Sequence, residues 1–311
     1  MSTGELVSGE KTQPVNYVAS IYSGPGRILP PEFAADVVAL EKILEMPLWL
    51  LVQSGGDKFD SLEDNLVESL LAARAELPEG GPVGLLIDSP GGSAKCSYQI
   101  ATILRARCGG FTAIVPRYAK SAATLLTLGA DAILLGQHAE LGPLDAQYLD
   151  PEREEWVSAL DEVQALERLH AFALESVDRT MFLMAPRTRK KIETLLPMIL
   201  KFVSDMTRPL FEKIEAVHYT QMSRTLKVAE EYAIRLLQTK YPLKKAQDIA
   251  RRLVSHYPEH GFIIDTAEAG AFELELASVS DKLQVIFDSM RPFLARLTVI
   301  GHLKEVQGNG K

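Results

Sequence analysis

Short runs that are apolar throughout, separated by amphipathic stretches, constrain this chain more than any other feature. PLWLLVQSGG reads as a strand that stops at two glycines, and LEDNLVESLLAARAEL as a helix that stops at PEGGP. VGLLID, SAKCSYQIATILRARC, FTAIVP, SAATLLTLGA and AILLG continue the alternation of strand and helix. Because the strand runs are apolar at every position rather than at every second one, both of their faces must be covered. The pattern predicts an α/β fold with a mainly parallel sheet and helices on both sides. Upstream, PEFAADVVALEKILEM follows Pro30 and predicts a helix entered at proline.

After about residue 150 helical spacing dominates, and EEWVSALDEVQALERLHAFALESVDRTMFLM, RKKIETLLPMILKFVSDM and LKVAEEYAIRLLQTKYP predict helices interrupted near Pro186, Pro209 and Pro242. HGFIID is read as one last short strand and SDKLQVIFDSMRPFLARL as a closing helix. The expected organisation is a polar tail over 1–14, an α/β core over 15–150 and a helix-rich region over 151–311 that packs on the core. Charge excludes one class of partner: Lys and Arg number 33 against 41 Asp and Glu, a net of -8, the wrong sign for a chain built around a phosphate backbone. The two cysteines, Cys96 and Cys108, form neither a disulfide framework nor a metal pair, and are expected as buried thiols. No run approaches the length of a membrane span, and the N-terminal stretch lacks a signal-type apolar core, so the expected location is cytoplasmic.

Parallel sheets bind ligands beyond the carboxyl ends of their strands, so the turns there are where chemistry is expected. One is Ser89-Pro90-Gly91-Gly92, where proline brings no N–H and the glycines can adopt positive φ and turn their N–H groups into a crevice. A plain tight turn explains the same residues. The other is Pro116 to Thr124, PRYAKSAAT, which places Ser121 at a strand-to-helix junction among small residues; an N-cap serine is the plain reading. A nucleophilic hydroxyl on one junction facing glycine N–H groups on the next is the arrangement acyl transfer requires.

LLIDSPGGSAKCSYQIATIL, PRYAKSAATLLTLGADAILLG and AELGPLDAQ, in that order, resemble the serine dehydrogenase proteinase family, whose members share the fold of Clp protease and signal peptide peptidase A. The resemblance is strong from Val83 to Tyr148 and weaker from Ser223 to Leu276, where YPEHGFIIDTAEAG matches the closing segment. It implies a Clp/crotonase-like fold and a serine peptidase in which Ser121 attacks the peptide carbonyl. Gly92, with Gly91, and Ala122 then hold the oxyanion through backbone N–H groups, with no cofactor and no metal. It implies a protein or peptide substrate and a homo-oligomer, whose contacts fall to the amphipathic helices of residues 151–240.

The general base does not carry over, because ELGPLDAQY lacks the histidine of Clp protease and no lysine lies between Ser121 and Lys190. His260 is a candidate, oriented by Asp145. Lys120 is another, if desolvated, although neighbours at a helix start usually point apart. His138 precedes the site and reads as a surface residue, while Arg117, Tyr118 and Arg153 are cleft or solvated positions. Two further readings stay open: a crotonase-like acyl-CoA hydratase or hydrolase with Glu140 as its carboxylate, and a catalytically silent scaffold that binds a protein partner.

Overall fold

A computed structural model describes residues 15–24, 28–150 and 154–306; the expected polar tail and Arg153 lie outside them. In chain order, the first part comprises β1 (Asn16–Ala19), α1 (Pro31–Leu44), β2 (Leu48–Gln53), α2 (Asp64–Ala72), β3 (Gly84–Asp88), α3 (Ala94–Cys108) and β4 (Thr112–Val115). It continues with β5 (Tyr118–Ala119), α4 (Ala122–Leu128), β6 (Ala132–Leu135) and β7 (Glu140–Leu141). Next come β8 (Gln147–Asp150), β9 (Glu155–Ser158), α5 (Ala159–Thr188), α6 (Ile192–Phe211), α7 (Ala216–Leu237) and α8 (Leu243–Ser255). The chain closes with α9 (Thr266–Ala271), α10 (Asp281–Leu294), β10 (Thr298–Gly301) and β11 (Leu303–Val306). Contacts divide it into two compact units, Met1–Leu141 with Ile263–Lys311, and Gly142–Phe262.

The first unit is built on a five-stranded sheet of order β10-β2-β3-β4-β6. The last four strands of that order run parallel, and β10 pairs antiparallel with β2. The mainly parallel α/β expectation therefore holds, with one antiparallel edge added. Every residue of β2 and β3 is buried. Leu48, Leu50, Val52, Leu86, Ile114 and Val299 point to one face, where they meet Phe33, Val37 and Leu40 of α1 and Phe287, Met290 and Leu294 of α10. Each such side chain contributes about 1.5–3 kcal/mol by leaving water. The alternate residues of the same strands point to the opposite face.

Local sequence fixes α3, the helix behind the glycine turn. Ser93 accepts the Cys96 N–H as N-cap, Gly109 closes the helix at φ 81, and Arg105 and Arg107 sit in the last turn. Both cysteines are free thiols and buried. HGFIID, expected as a last strand, contributes only an isolated bridge between Ile264 and Leu141. The strand that does join the sheet is Thr298–Gly301, just beyond the closing helix. β11 then pairs with β1.

The second unit is helical apart from the β8–β9 hairpin. Helices α5 and α6 pack through Leu195, Ile199 and Val203 against Val177 and Met181. They end two residues after Pro186 and Pro209 respectively, and Pro242 stands at the N-cap of α8. Much of their apolar surface is uncovered: Phe182 is 81% exposed, Met198 60% and Phe202 57%. Among the described residues no helix is long and apolar enough to cross a membrane.

Candidate active site

Within the first unit, the end of β3 and the loop after β4 are laced together by backbone hydrogen bonds. Ser89 donates its N–H to Tyr118 O at 3.2 Å and accepts the Lys120 N–H at 3.0 Å, a parallel bridge that pairs Ser89 with Ala119. The chain then turns sharply into α4. The Thr124 hydroxyl donates to Ala119 O at 2.6 Å, and Ser97 of α3 donates to Ala122 O at 2.5 Å. Ser121 sits at the apex of this fixed turn with φ 49 and ψ -121.

That backbone conformation is costly for a residue with a Cβ, about 1–3 kcal/mol. It also answers the plain reading of Ser121, since an N-cap serine adopts extended angles and accepts a helix N–H. Ser121 occupies the N-cap position but makes no side-chain cap hydrogen bond. Its hydroxyl is not spent on finishing the helix.

The diglycine corner packs directly on this turn. A Cβ on Gly91, which has φ 106, would stand 2.6 Å from Lys120 O and 3.0 Å from both Ala122 N and Ser121 Cβ. Gly91 is buried and Gly92 exposed. The Leu62 N–H donates to Gly91 O and the Ser93 N–H to Leu62 O, each at 2.8 Å, which makes Gly92 and Leu62 a parallel bridge pair. In such a pair the N–H of the bridged residue points away from its partner. Among the described residues neither the Gly92 N–H nor the Ala122 N–H meets an acceptor. They are two of the three N–H groups that the resemblance implies as oxyanion donors. Gly91 differs, because its own N–H donates to Ser89 Oγ at 3.1 Å and is already occupied.

Five other residues named from the sequence have different surroundings. Lys120 Nζ lies 3.2 Å from Glu140 Oε2 and donates to Leu141 O at 3.3 Å. Both contacts engage its terminal nitrogen. Glu140, the carboxylate of the acyl-CoA reading, is engaged in the same pair. Arg117 and Tyr118, read as cleft or solvated positions, close a buried network on the strand end: Arg117 donates to both oxygens of Asp88 at 2.8 and 2.6 Å. Ser54 donates to Asp88 at 2.8 Å and meets the Tyr118 hydroxyl at 2.8 Å, while the Arg117 guanidinium lies 4.3 Å from the Tyr118 ring centre. Burial pushes the Asp88 carboxyl up from the usual range, and the hydrogen bonds and charge of Arg117 pull it back. His138 is exposed, and its carbonyl accepts from Arg291.

The second unit brings together the remaining pair. His260 Nδ1 lies 2.7 Å from Asp145 Oδ1, and the Ser158 hydroxyl donates to Asp145 Oδ2 at 2.9 Å. Backbone bonds hold this carboxylate's loop, from Leu144 N–H to Leu253 O and from Ala159 N–H to Ala146 O, each at 2.8 Å. Asp145 is 3% exposed. A carboxylate only accepts, so neutral His260 carries its proton on Nδ1 and keeps a lone pair on Nε2, the tautomer a general base needs. Ser158, which also caps α5 by accepting the Leu160 N–H at 3.1 Å, was not singled out from sequence. Neither were Gln53, Ser54 and Asp88, and Ser89 was named only as part of the glycine turn. A polar residue closing an otherwise apolar strand, as Gln53 and Asp88 do, was the signal available for two of them.

The chain is similar to several known proteins. Two uncharacterized proteins of Methanocaldococcus jannaschii are similar to the chain: one is 26% identical over 219 residues, the other 41% identical over 90. The matches cover 70% and 29% of this chain and span 59% and 31% of those relatives. Among solved structures, the 1510-N membrane-bound stomatin-specific protease, as a mutant, aligns with TM-score 0.40 and 11% identity over 71% of this chain and 77% of that one. ClpP1 from Listeria monocytogenes aligns with TM-score 0.34 and 12% identity over 79% of this chain and 99% of that one. A model of the ClpP-like SDH-type serine proteinases matches residues 57–213, which contain the glycine corner, the Ser121 turn and Asp145. With just over half of its length matched by that model, the chain belongs to the ClpP-like SDH-type serine proteinase family.

Proposed function

We propose that this protein hydrolyses peptide bonds of a protein substrate through an acyl-enzyme on Ser121. The observation that carries the reading is the Ser121 turn: a serine at φ 49 that caps nothing, against which the diglycine corner packs, with the Gly92 and Ala122 N–H groups unspent. Ser121 Oγ attacks the substrate carbonyl carbon as its proton passes to the base. The two N–H groups hold the negative oxygen of the tetrahedral adduct; one such donor is typically worth ~2.7–4 kcal/mol of transition-state stabilisation. The C–N bond breaks, the amine leaves with the base's proton, and Ser121 is left as an ester. Water then gives a proton to the base, attacks the ester and releases the acid, and Ser121 regains its proton.

His260 is the base in this reading and Asp145 its orienting carboxylate. The pair has the hydrogen-bond pattern of a catalytic histidine, whereas Lys120 is held by Glu140.

The test is cleavage of unfolded casein by the full chain. Ser121→Ala abolishes it, His260→Ala lowers kcat by about 10³-fold or more, and Lys120→Met stays within a few-fold of wild type. The reverse order for the last two assigns the base to Lys120. The exposed apolar residues of α5 and α6 are read as contacts of a homo-oligomer, which sedimentation at graded concentration checks.

A further inference from the structure

We infer that Ser89 is the positioning residue of the oxyanion corner, holding the glycine peptide and the nucleophile turn in one register; the inference rests on the reading of Ser121 as nucleophile. The main chain of Ser89 is clasped from both sides by the nucleophile loop, through Tyr118 O and the Lys120 N–H. Its hydroxyl faces the other way, into the glycine corner, where Oγ accepts the Gly91 N–H at 3.1 Å. Ser89 thus bonds to the residues just before Ser121 and to the residue just before the exposed donor Gly92.

The hydroxyl is itself aimed. Ser89 Oγ donates to Gln53 Oε1 at 2.6 Å, and Gln53 Nε2 donates to Phe59 O at 2.9 Å. The Phe59 carbonyl only accepts, so it fixes which end of the Gln53 amide faces it and leaves the amide oxygen for Ser89. Since an amide oxygen cannot donate, the Ser89 proton is committed to Gln53 and a lone pair is left for the Gly91 N–H. The resulting chain runs one way, from the Gly91 N–H through the Ser89 hydroxyl to Gln53. Ser89 is 0% exposed and Gln53 2%, so water cannot substitute for either link. The Pro90–Gly91 peptide is held by its N–H on Ser89 and the Gly91–Gly92 peptide by its carbonyl on the Leu62 N–H, so both peptide units that flank Gly91 are fixed. The next N–H, that of Gly92, is left on the open side. A turn that only reversed the chain would not need this buried relay; one that must present a single N–H does.

The test is the kinetics of covalent labelling of the full chain by a fluorophosphonate, resolved into a limiting rate and a half-saturation concentration. Ser89→Ala lowers the limiting rate roughly 10- to 100-fold and leaves half-saturation within about two-fold, because the lost interaction acts on the charged adduct and not on probe binding. Ser89→Thr, which keeps the hydroxyl, recovers much of the rate. Gln53→Leu, which leaves the Ser89 hydroxyl unaimed, loses rate in the same sense and serves should Ser89→Ala not fold. Hydrogen exchange of the Gly91 amide, slow in wild type, quickens in Ser89→Ala. A labelled wild type with an unchanged rate in a folded Ser89→Ala overturns the inference alone. An effect on half-saturation without one on the limiting rate overturns it equally. A wild type that does not label overturns the nucleophile and this inference with it.

Discussion

Replacing Gly91 by alanine adds one carbon at the most crowded point of the site. Its φ of 106 lies outside any region an L-residue adopts readily, which costs about 1–3 kcal/mol. The new Cβ would also stand 2.6 Å from Lys120 O, so the Lys120–Ala122 segment must retreat by roughly 0.8 Å to restore ordinary contact. Crowding of this kind adds about 1–3 kcal/mol, and relaxation of the turn keeps the two costs from adding fully, for an expected loss of about 2–4 kcal/mol. In a protein of this size that lowers Tm by roughly 3–6 °C. The same retreat moves Ser121 relative to the Gly92 and Ala122 N–H groups; under the proposed function, where misplacement by ~1 Å can cost 10²-fold, fluorophosphonate labelling slows by about ten-fold or more. Gly80→Ala is the control, because Gly80 has φ 60 with nothing within 4 Å of the added carbon. It loses about 1–2 kcal/mol and labels normally. If Gly91→Ala melts and labels like wild type, the corner does not rest on the nucleophile turn and the reasoning fails.

Arg117→Met strands the buried Asp88 carboxyl without its cation, and urea unfolding should show a loss of about 3–5 kcal/mol; a loss below ~1 kcal/mol contradicts a role for the pair in holding the strand end. Asp145→Asn keeps the shape but favours the wrong imidazole tautomer, so kcat for casein cleavage drops by roughly 10³–10⁴ while the circular dichroism spectrum stays unchanged; unaltered kcat removes His260 and Asp145 from the mechanism. Gly92→Val is damaging for a reason beyond the donor itself: any Cβ there would stand 2.6 Å from Leu62 O and 2.7 Å from Leu62 N. Thermal melting should fall together with labelling, and a variant that loses neither refutes the Gly92–Leu62 bridge.

The parallel core was legible because its strands are apolar at every position and its helices carry their own punctuation, as Ser93 and Gly109 do for α3. The edge strand Thr298–Gly301 was not, because TVIG follows a helical apolar stretch with no turn signal between them; only its pairing with β2 makes it a strand. Ile264 failed the other way, since a β-rich hexapeptide found room for a single bridge. At the candidate site, turn chemistry picked out Ser121 and the glycine corner, the family resemblance added Ala122, and the expected contact of His260 with Asp145 is present at 2.7 Å. The direction of the Gly91 N–H was hidden, because it depends on Ser89 and Gln53, which meet only after β2 and β3 pair. Lys120 was ambiguous for a related reason: its partner Glu140 is brought beside it by the pairing of β5 with β7.

The central claim is that the Ser121 hydroxyl forms the covalent bond to substrate. Its most direct measurement is mass spectrometry of the fluorophosphonate-treated protein, intact and after digestion. The account predicts one adduct per chain, located on Ser121 and absent from Ser121→Ala. An adduct at another residue, or none on folded wild type, contradicts it.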